Sequence, residues 1–203
     1  MDDCCAVGPR VDCPNRSRPS HPIAESSNEM DTTSEVIDEP LTYDALGEMY
    51  CKLCDDPLFA NIPGKIELDM WGRILMSPAT PYHGKLQARL ARSLSALGGE
   101  AYTEPPIVTP AGLLVPDVAW ASAQFVSRQD EEMPFTRAPE LCIEVASHSN
   151  SRKALSVKIA AYLAAGAVEA WIVLSRSKRF EFYGKDGPLP QTAFEVDLSE
   201  LFD

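Results

Sequence analysis

Two short apolar runs, each interrupted by one acidic residue, constrain this chain more than any other feature. Leu114–Trp120 (LVPDVAW) and Leu141–Ser147 (LCIEVAS) are rich in β-branched and aromatic residues, and Gly, Pro or Ser bound them. Each run therefore predicts a β-strand. Asp117 lies in the first and Glu144 in the second. Burial disfavours an unpartnered carboxylate, and two neighbouring carboxylates repel each other unless a cation lies between them. The pair predicts a divalent metal site.

Residue periodicity predicts the order of the remaining elements. A helical pattern begins near Thr42, and Lys65–Ser77 alternates on both sides of Trp71-Gly72, which predicts a β-hairpin. The clearest helix runs from His83 to Leu97, where leucines form one apolar stripe and Gly98-Gly99 follows. After it we predict strands near 101–108, 113–121 and 141–146, a helix over 151–165, a buried strand over 169–174, and edge strands over 179–183 and 194–196.

Length and charge indicate one domain with a tail. Residues 1–40 are rich in Pro, Ser, Asp and Glu, so we predict a disordered tail there and a globular domain over 41–203. Residues 1–60 hold 13 acidic and 4 basic side chains, and the rest of the chain holds 17 and 14. The nearly neutral globular part argues against tight non-specific DNA binding. Without a long apolar run or a signal pattern, we expect a cytoplasmic protein that does not enter a membrane.

Cys51 and Cys54 form a CxxC pair within the first predicted helix. Such a pair can be half of a zinc site or a redox motif. No second CxxC or CxxH follows it, and no thioredoxin-like strand precedes it. We therefore favour two semi-buried thiols on a helix over a zinc or redox centre.

The order helix, three strands, helix, strand is that of the αβββαβ core of the restriction-endonuclease-like fold, an α/β (α+β) class, here with an N-terminal helix and β-hairpin added. Pro116-Asp117 followed by Glu144 resembles the PD-(D/E)XK nuclease signature. In that signature a Lys stands two residues after the Glu, where this chain has Ala146. The chain is similar instead to the Uma family of putative restriction endonucleases, in which the Lys lies on the following helix. The matching residues are Ser77-Pro78, His83, Lys158, Tyr162, Gly166 and Trp171.

The resemblance implies an endonuclease that hydrolyses DNA phosphodiester bonds with Mg²⁺ or Mn²⁺. Asp117 and Glu144 would bind the metal, with the backbone carbonyl of Val145 as a third oxygen ligand. Lys158 would activate water or stabilise the transition state. His83, Glu67 and Tyr162 are accessory candidates, and Tyr162 shares a helix face with Lys158 because they are four residues apart.

Simpler interpretations of the same residues stay open from the sequence. Glu67 would be solvated if the polar face of the hairpin is exposed. Lys158 would be a solvated lysine on an Ala-rich helix, and the basic stripe of Lys85, Arg89 and Arg92 would be ordinary surface or a contact for a phosphate backbone. The alternative function is a catalytically inactive nuclease-fold module that acts as a nucleic-acid or protein interaction scaffold. A homodimer is a candidate assembly, since cutting both strands of a duplex requires two sites.

Overall fold

The structure is a computed structural model, and it describes residues 39–59, 64–77, 80–129, 134–147 and 150–203. The disordered tail predicted for residues 1–40 lies almost wholly outside the described residues. The helices are α1 (Tyr43–Asp55), α2 (Pro81–Ser95), α3 (Ala123–Val126) and α4 (Arg152–Ala164). The strands are β1 (Lys65–Asp69), β2 (Ile74–Ser77), β3 (Glu100–Thr103), β4 (Ile107–Thr109), β5 (Gly112–Leu114), β6 (Val118–Ala121), β7 (Leu141–Ala146), β8 (Glu169–Leu174), β9 (Arg179–Gly184) and β10 (Gly187–Leu189).

The strands form two sheets. The larger sheet has the order β10-β9-β8-β7-β6-β3, and its β7–β8 pair is parallel while its other pairs are antiparallel. The smaller sheet has the order β2-β1-β5-β4 and is antiparallel throughout. The predicted β-hairpin is the β1–β2 pair. Elements α2, β3, β6, β7, α4 and β8 reproduce the predicted αβββαβ order, so the fold class is confirmed.

Two predicted strands are each divided between the sheets. The segment predicted as one strand near 101–108 is β3 of the large sheet followed by β4 of the small one, and 113–121 is β5 followed by β6. Prolines stand at both divisions, at Pro105-Pro106 and at Pro116. Proline has no N–H to donate to a ladder, so continuous pairing ends there and the chain passes to the other sheet.

Helices α2 and α4 cover opposite faces of the large sheet. Leu86, Leu90 and Leu94 of α2 are fully buried in one apolar cluster with Trp171. Leu155 and Ile159 of α4 belong to a second cluster on the other face. Helix α2 begins at Pro81, two residues before the predicted start, because Thr80 caps it by accepting a hydrogen bond from the N–H of His83. Burial on both faces explains why β8 reads as a continuous apolar run.

The last strands correct the prediction of two edge strands. Residues 179–183 lie in a strand as predicted, but this strand, β9, pairs with both β8 and β10 and so is inside the large sheet. Residues 194–196 are irregular, and the outer strand is β10. The ring of Phe194 packs edge-on against Trp120, with centroids 5.6 Å apart, and also contacts Trp171. The apolar residues of 194–196 therefore cover a face of the large sheet and do not extend the sheet. In the described part of the chain, no helix is long and apolar enough to cross a membrane.

Candidate active site

Asp117 lies at the bend where the chain leaves the small sheet and enters the large one. Its backbone N–H donates to the carbonyl of Ile143 at 2.9 Å, which attaches the bend to β7. The residue is 1% exposed. Pro116 ends the preceding ladder, so the side chain of Asp117 is directed by this junction rather than by the alternation of a continuous strand.

Three donors surround the Asp117 carboxylate. Oδ2 accepts a hydrogen bond from the N–H of Val145 at 2.6 Å. Oδ1 accepts from Lys65 Nζ at 2.7 Å and lies 3.1 Å from His83 Nε2. Burial alone would raise the pKa of Asp117, but the hydrogen bond from His83 and the charge of Lys65 lower that pKa to about 2. Asp117 is therefore an anion at neutral pH.

Glu144 lies in β7, in the interior of the large sheet, and is 2% exposed. Its Oε1 accepts from the hydroxyl of Tyr162 at 2.7 Å and from Lys158 Nζ at 3.2 Å. Its Oε2 lies 3.7 Å from Lys65 Nζ. Burial raises the pKa of Glu144, and the charge of Asp117 adds to this, against the opposing effect of Lys158 and Lys65. The two acids therefore differ in how well their surroundings stabilise the ionised form, and Asp117 is the better stabilised anion.

Lys158 connects α4 to the small sheet. Its Nζ donates to Glu67 Oε1 at 2.7 Å, and only 15% of its side chain is exposed. Glu67 is 4% exposed, and its Oε1 also accepts from the N–H of Val115 at 2.8 Å. The interpretations of Glu67 as a solvated hairpin acid and of Lys158 as a solvated lysine are therefore wrong.

Sequence reasoning missed Lys65, which is as central as the predicted residues. Its Nζ donates to the carbonyl of Val115 and to Asp117 Oδ1, both at 2.7 Å, and 9% of its side chain is exposed. Burial opposes its charge, yet Glu144, Asp117 and Glu67 together raise the pKa of Lys65. The sequence signal that could have identified Lys65 is the alternation of side chains along β1, which places Lys65 and Glu67 on the same face of the strand.

The two remaining accessory candidates touch the acids directly. Burial raises the pKa of the Tyr162 phenol, and Glu144 adds to that, so Tyr162 stays a hydrogen-bond donor. The hydrogen bond with Asp117 raises the pKa of His83 above its usual value. A cavity of about 30 Å³, roughly enough for one water or ion, is bounded by Asp117, Glu144, Val145 and both lysines.

The donor set fits a hard divalent cation of the magnesium type. Oxygens of Asp117 and Glu144 both approach one cationic group, the ammonium of Lys65, so they can share a positive charge. Mg²⁺ is commonly held by one or two carboxylates, with water and phosphate completing its shell. Within the described residues, no group of three or more His, Cys, Asp or Glu side chains forms a ready metal site. Val145 lines the cavity, and its hydrogen bond with Asp117 uses its N–H.

Cys51 and Cys54 both lie on α1, and Cys51 is partly buried as predicted. Cys54 is exposed, so the prediction of a semi-buried thiol is wrong for Cys54. The basic residues of α2 contact the other end of the described chain. Lys85 Nζ donates to the carbonyl of Asp203 at 2.7 Å, and Arg89 donates to the carbonyls of Glu200, Leu201 and Asp203. Arg92 lies 3.7 Å from Glu200. The basic stripe of α2 therefore holds the last residues of the chain.

The architecture is that of a nuclease fold. The chain is similar to the crystal structure of a putative nuclease belonging to DUF820 from Anabaena variabilis, with a TM-score of 0.54 and 19% identity over 77% of this chain and 84% of that one. Residues 48–201 match the family model Uma2, described as "Putative restriction endonuclease". The chain belongs to this family. No protein of curated function matches it.

Proposed function

We propose that this protein is an endonuclease that hydrolyses DNA phosphodiester bonds with the help of Mg²⁺ or Mn²⁺. The observation that carries the proposal is the meeting of Asp117, Glu144 and Lys158 around one small cavity, although they are distant in sequence. Asp117 and Glu144 would hold the metal, with the carbonyl of Val145 as a further oxygen ligand. When bound, the metal would lower the pKa of a water molecule and offset phosphate charge.

In this proposal the side chains around the two acids act on the substrate or hold the acids and Lys158 in place. Lys158 orients the attacking water or stabilises negative charge on the phosphate in the transition state, since it is a largely buried cation beside Glu144. Tyr162 fixes one oxygen of Glu144. His83 and Lys65 keep Asp117 ionised. Glu67 positions Lys158 through their 2.7 Å contact.

The alternative is a catalytically inactive module that uses the nuclease fold as an interaction scaffold. One observation favours it: Lys65 and Lys158 already pair with the buried acids, so the structure is electrostatically satisfied without a metal. For the endonuclease we also propose a cytoplasmic location, and a homodimer would supply a site for each strand of the duplex.

Plasmid cleavage together with metal titration distinguishes the two functions. We expect the wild-type protein to nick supercoiled DNA with Mg²⁺ or Mn²⁺ and to bind Mn²⁺ in calorimetry. Asp117→Asn should lose both. Lys158→Met should slow cleavage by about 100-fold or more while the protein still binds Mn²⁺.

The matched control is Lys153→Met, which removes an exposed lysine from the same helix and should leave cleavage unchanged. Wild-type protein that binds no Mn²⁺ and leaves plasmid intact would favour the scaffold. Cleavage that survives Asp117→Asn would refute the assigned site.

A further inference from the structure

A second, larger cavity lies beside the candidate active site. Its volume is about 470 Å³, within the usual range for small-ligand pockets. Glu104 lines both this cavity and the small one around Asp117 and Glu144. A ligand in the larger cavity would therefore be separated from the site of phosphate chemistry by one side chain.

The walls of this cavity suit a flat, neutral ring. Tyr50, Tyr102 and Phe135 provide aromatic surface, and Pro105 and Pro106 provide rigid apolar surface. The rings of Tyr102 and Phe135 pack edge to face, with centroids 5.4 Å apart. This contact fixes the orientation of the Tyr102 ring. Aromatic side chains held in this way are the usual stacking surfaces for unpaired bases.

The charge of the cavity disfavours a phosphate in it. Among the described residues that line it, Asp55 and Glu104 are acidic and none is Lys, Arg or His. Burial raises the pKa of Tyr50, so its phenol is neutral. A phosphate would meet only negative charge here, whereas Lys65, His83 and Lys158 line the small cavity. The two cavities therefore suit two different parts of one nucleotide.

Glu104 is held in place by backbone and side-chain contacts. Its φ is 54°, in the left-handed region that non-glycine residues rarely adopt. Its N–H donates to the carbonyl of Asp117 at 3.2 Å. Its Oε1 accepts from Nε2 of Gln87, a buried amide, at 3.0 Å. An unfavourable conformation maintained by such contacts is typical of functional positions.

We propose that the larger cavity binds an unstacked nucleobase of the substrate and that Glu104 selects a base with an exocyclic amino group. This inference rests on the proposed nuclease function, since the neighbouring phosphate would lie at the edge of the small cavity, beside Lys65, His83 and Lys158. The carboxylate accepts a hydrogen bond from the amino group of cytosine, adenine or guanine. Thymine has no such group and would leave the carboxylate facing a carbonyl. Tyr102 stacks on the base.

Binding of single-stranded oligodeoxynucleotides to the full chain tests the proposal without requiring cleavage. Fluorescein-labelled oligocytidine and oligothymidine of equal length are titrated at low salt in EDTA, and anisotropy is measured. We expect wild-type protein to bind the cytosine strand about tenfold more tightly than the thymine strand. Glu104→Gln should reduce this preference to about twofold or less, since an amide can also donate to the thymine carbonyl.

Tyr102→Ala should weaken binding of both strands by about tenfold through loss of stacking. Because Tyr102 also packs against Phe135, Tyr102→Leu, which keeps an apolar side chain there, is measured beside it and should weaken binding similarly. Tyr102→Phe retains the ring and should bind as the wild type does. The matched controls are Glu100→Gln and Tyr43→Ala, which change exposed residues outside the cavity.

Equal affinity of the wild type for the two strands would overturn the proposal, as would a cytosine preference that survives Glu104→Gln. Binding that is unchanged in folded Tyr102→Leu would overturn the stacking role. The nuclease proposal is judged separately by plasmid cleavage. A base preference without cleavage supports the cavity and rejects the nuclease, whereas cleavage without a base preference does the reverse.

Discussion

The two sheets of this protein are built differently. The large sheet has a helix on each face and an apolar cluster under each helix. The small sheet packs against α1 through one cluster, and its edge strand β2 exposes Ile74, Leu75 and Met76 by 37%, 47% and 43%. The large sheet therefore contributes most of the buried apolar surface on which stability depends.

The candidate site joins these two unlike parts. Glu144 and Lys158 belong to the large sheet and its helix, whereas Lys65 and Glu67 belong to β1 of the small sheet. Lys65 pairs with the acid of β7 and with Asp117 at the junction, and Lys158 pairs with Glu67. Each sheet thus supplies a cation that neutralises an acid of the other. The site therefore depends on how the two sheets are joined as well as on the interior of either sheet.

The largest effect on stability is expected in the interior of the large sheet. Trp171 lies on β8, between β7 and β9, and is fully buried. Its ring packs against that of Phe182, with the ring centroids 5.1 Å apart. Trp171→Ala should lower the free energy of unfolding by about 3–5 kcal/mol, because it leaves a large cavity. Urea unfolding followed by circular dichroism measures this. A loss below about 1 kcal/mol would contradict the assignment of the main core to this sheet.

A slightly smaller loss of stability is expected for a substitution at the junction between the two sheets. Lys65→Met should lower the free energy of unfolding by about 3 kcal/mol in metal-free buffer, because it removes one of the cations that neutralise the buried carboxylates of Asp117 and Glu144. Urea unfolding in EDTA measures the loss, with Lys153→Met as the control. Adding Asp117→Asn to Lys65→Met should recover part of it, since one uncompensated charge is then removed. A double variant less stable than Lys65→Met would argue against this charge pairing.

A modest effect is expected at the turn of the small-sheet hairpin. Asp69 accepts hydrogen bonds from the N–H groups of Trp71 and Arg73, and Arg73 Nε lies 2.5 Å from its carboxylate. Burial opposes the anion, but these contacts lower the pKa of Asp69. Asp69→Ala should therefore cost about 1 kcal/mol at neutral pH.

The sign of the pH dependence follows from that lowered pKa. A carboxyl group whose pKa is lower in the folded state stabilises the protein above its unfolded pKa. The stability difference between wild type and Asp69→Ala should therefore shrink as the pH falls below about 4. Urea unfolding of both proteins across this range measures it. A difference that grows on acidification would contradict the argument.

The smallest effect is expected at the exposed edge of the small sheet. Leu75→Thr should change the free energy of unfolding by less than about 0.5 kcal/mol, because the side chain is already half in solvent and Thr suits a strand. Thermal unfolding is the measurement. A loss above about 1 kcal/mol would show that β2 is covered in solution, and its dependence on protein concentration would identify a second copy as the cover.

The sequence predicted most of the large sheet and most side chains of the candidate site, but not Lys65. The αβββαβ order followed from periodicity, because leucine spacing marks α2 and continuous apolar runs mark β7 and β8. Glu144 was recognisable as an acid in a strand too apolar to be exposed. Lys158 was placed beside it by family resemblance, since Ala146 occupies the usual lysine position. The roles of Asp117, Glu144 and Lys158 in catalysis remain predictions.

The sequence could not predict which sheet each strand joins. Pro116 marked a break in pairing, but a break does not specify the next partner, so β5 and β6 read as one strand. Similarly, Phe194 suits a strand or a cover for a sheet face, and only its packing against Trp120 decides between them. Local preference is weaker than these long-range contacts.

By itself the sequence determined the order of the elements, the apolar faces of the helices and the two acids placed within apolar runs. Tertiary structure alone decided that Lys65 and Glu67 face the site. Alternation along β1 establishes that these two side chains share a face, but whether that face meets water or protein depends on what packs against it. In this protein that face is covered by helix α4 and by the segment Val115–Asp117 of the same chain. Burial in that interface turns an ordinary hairpin surface into part of the candidate site.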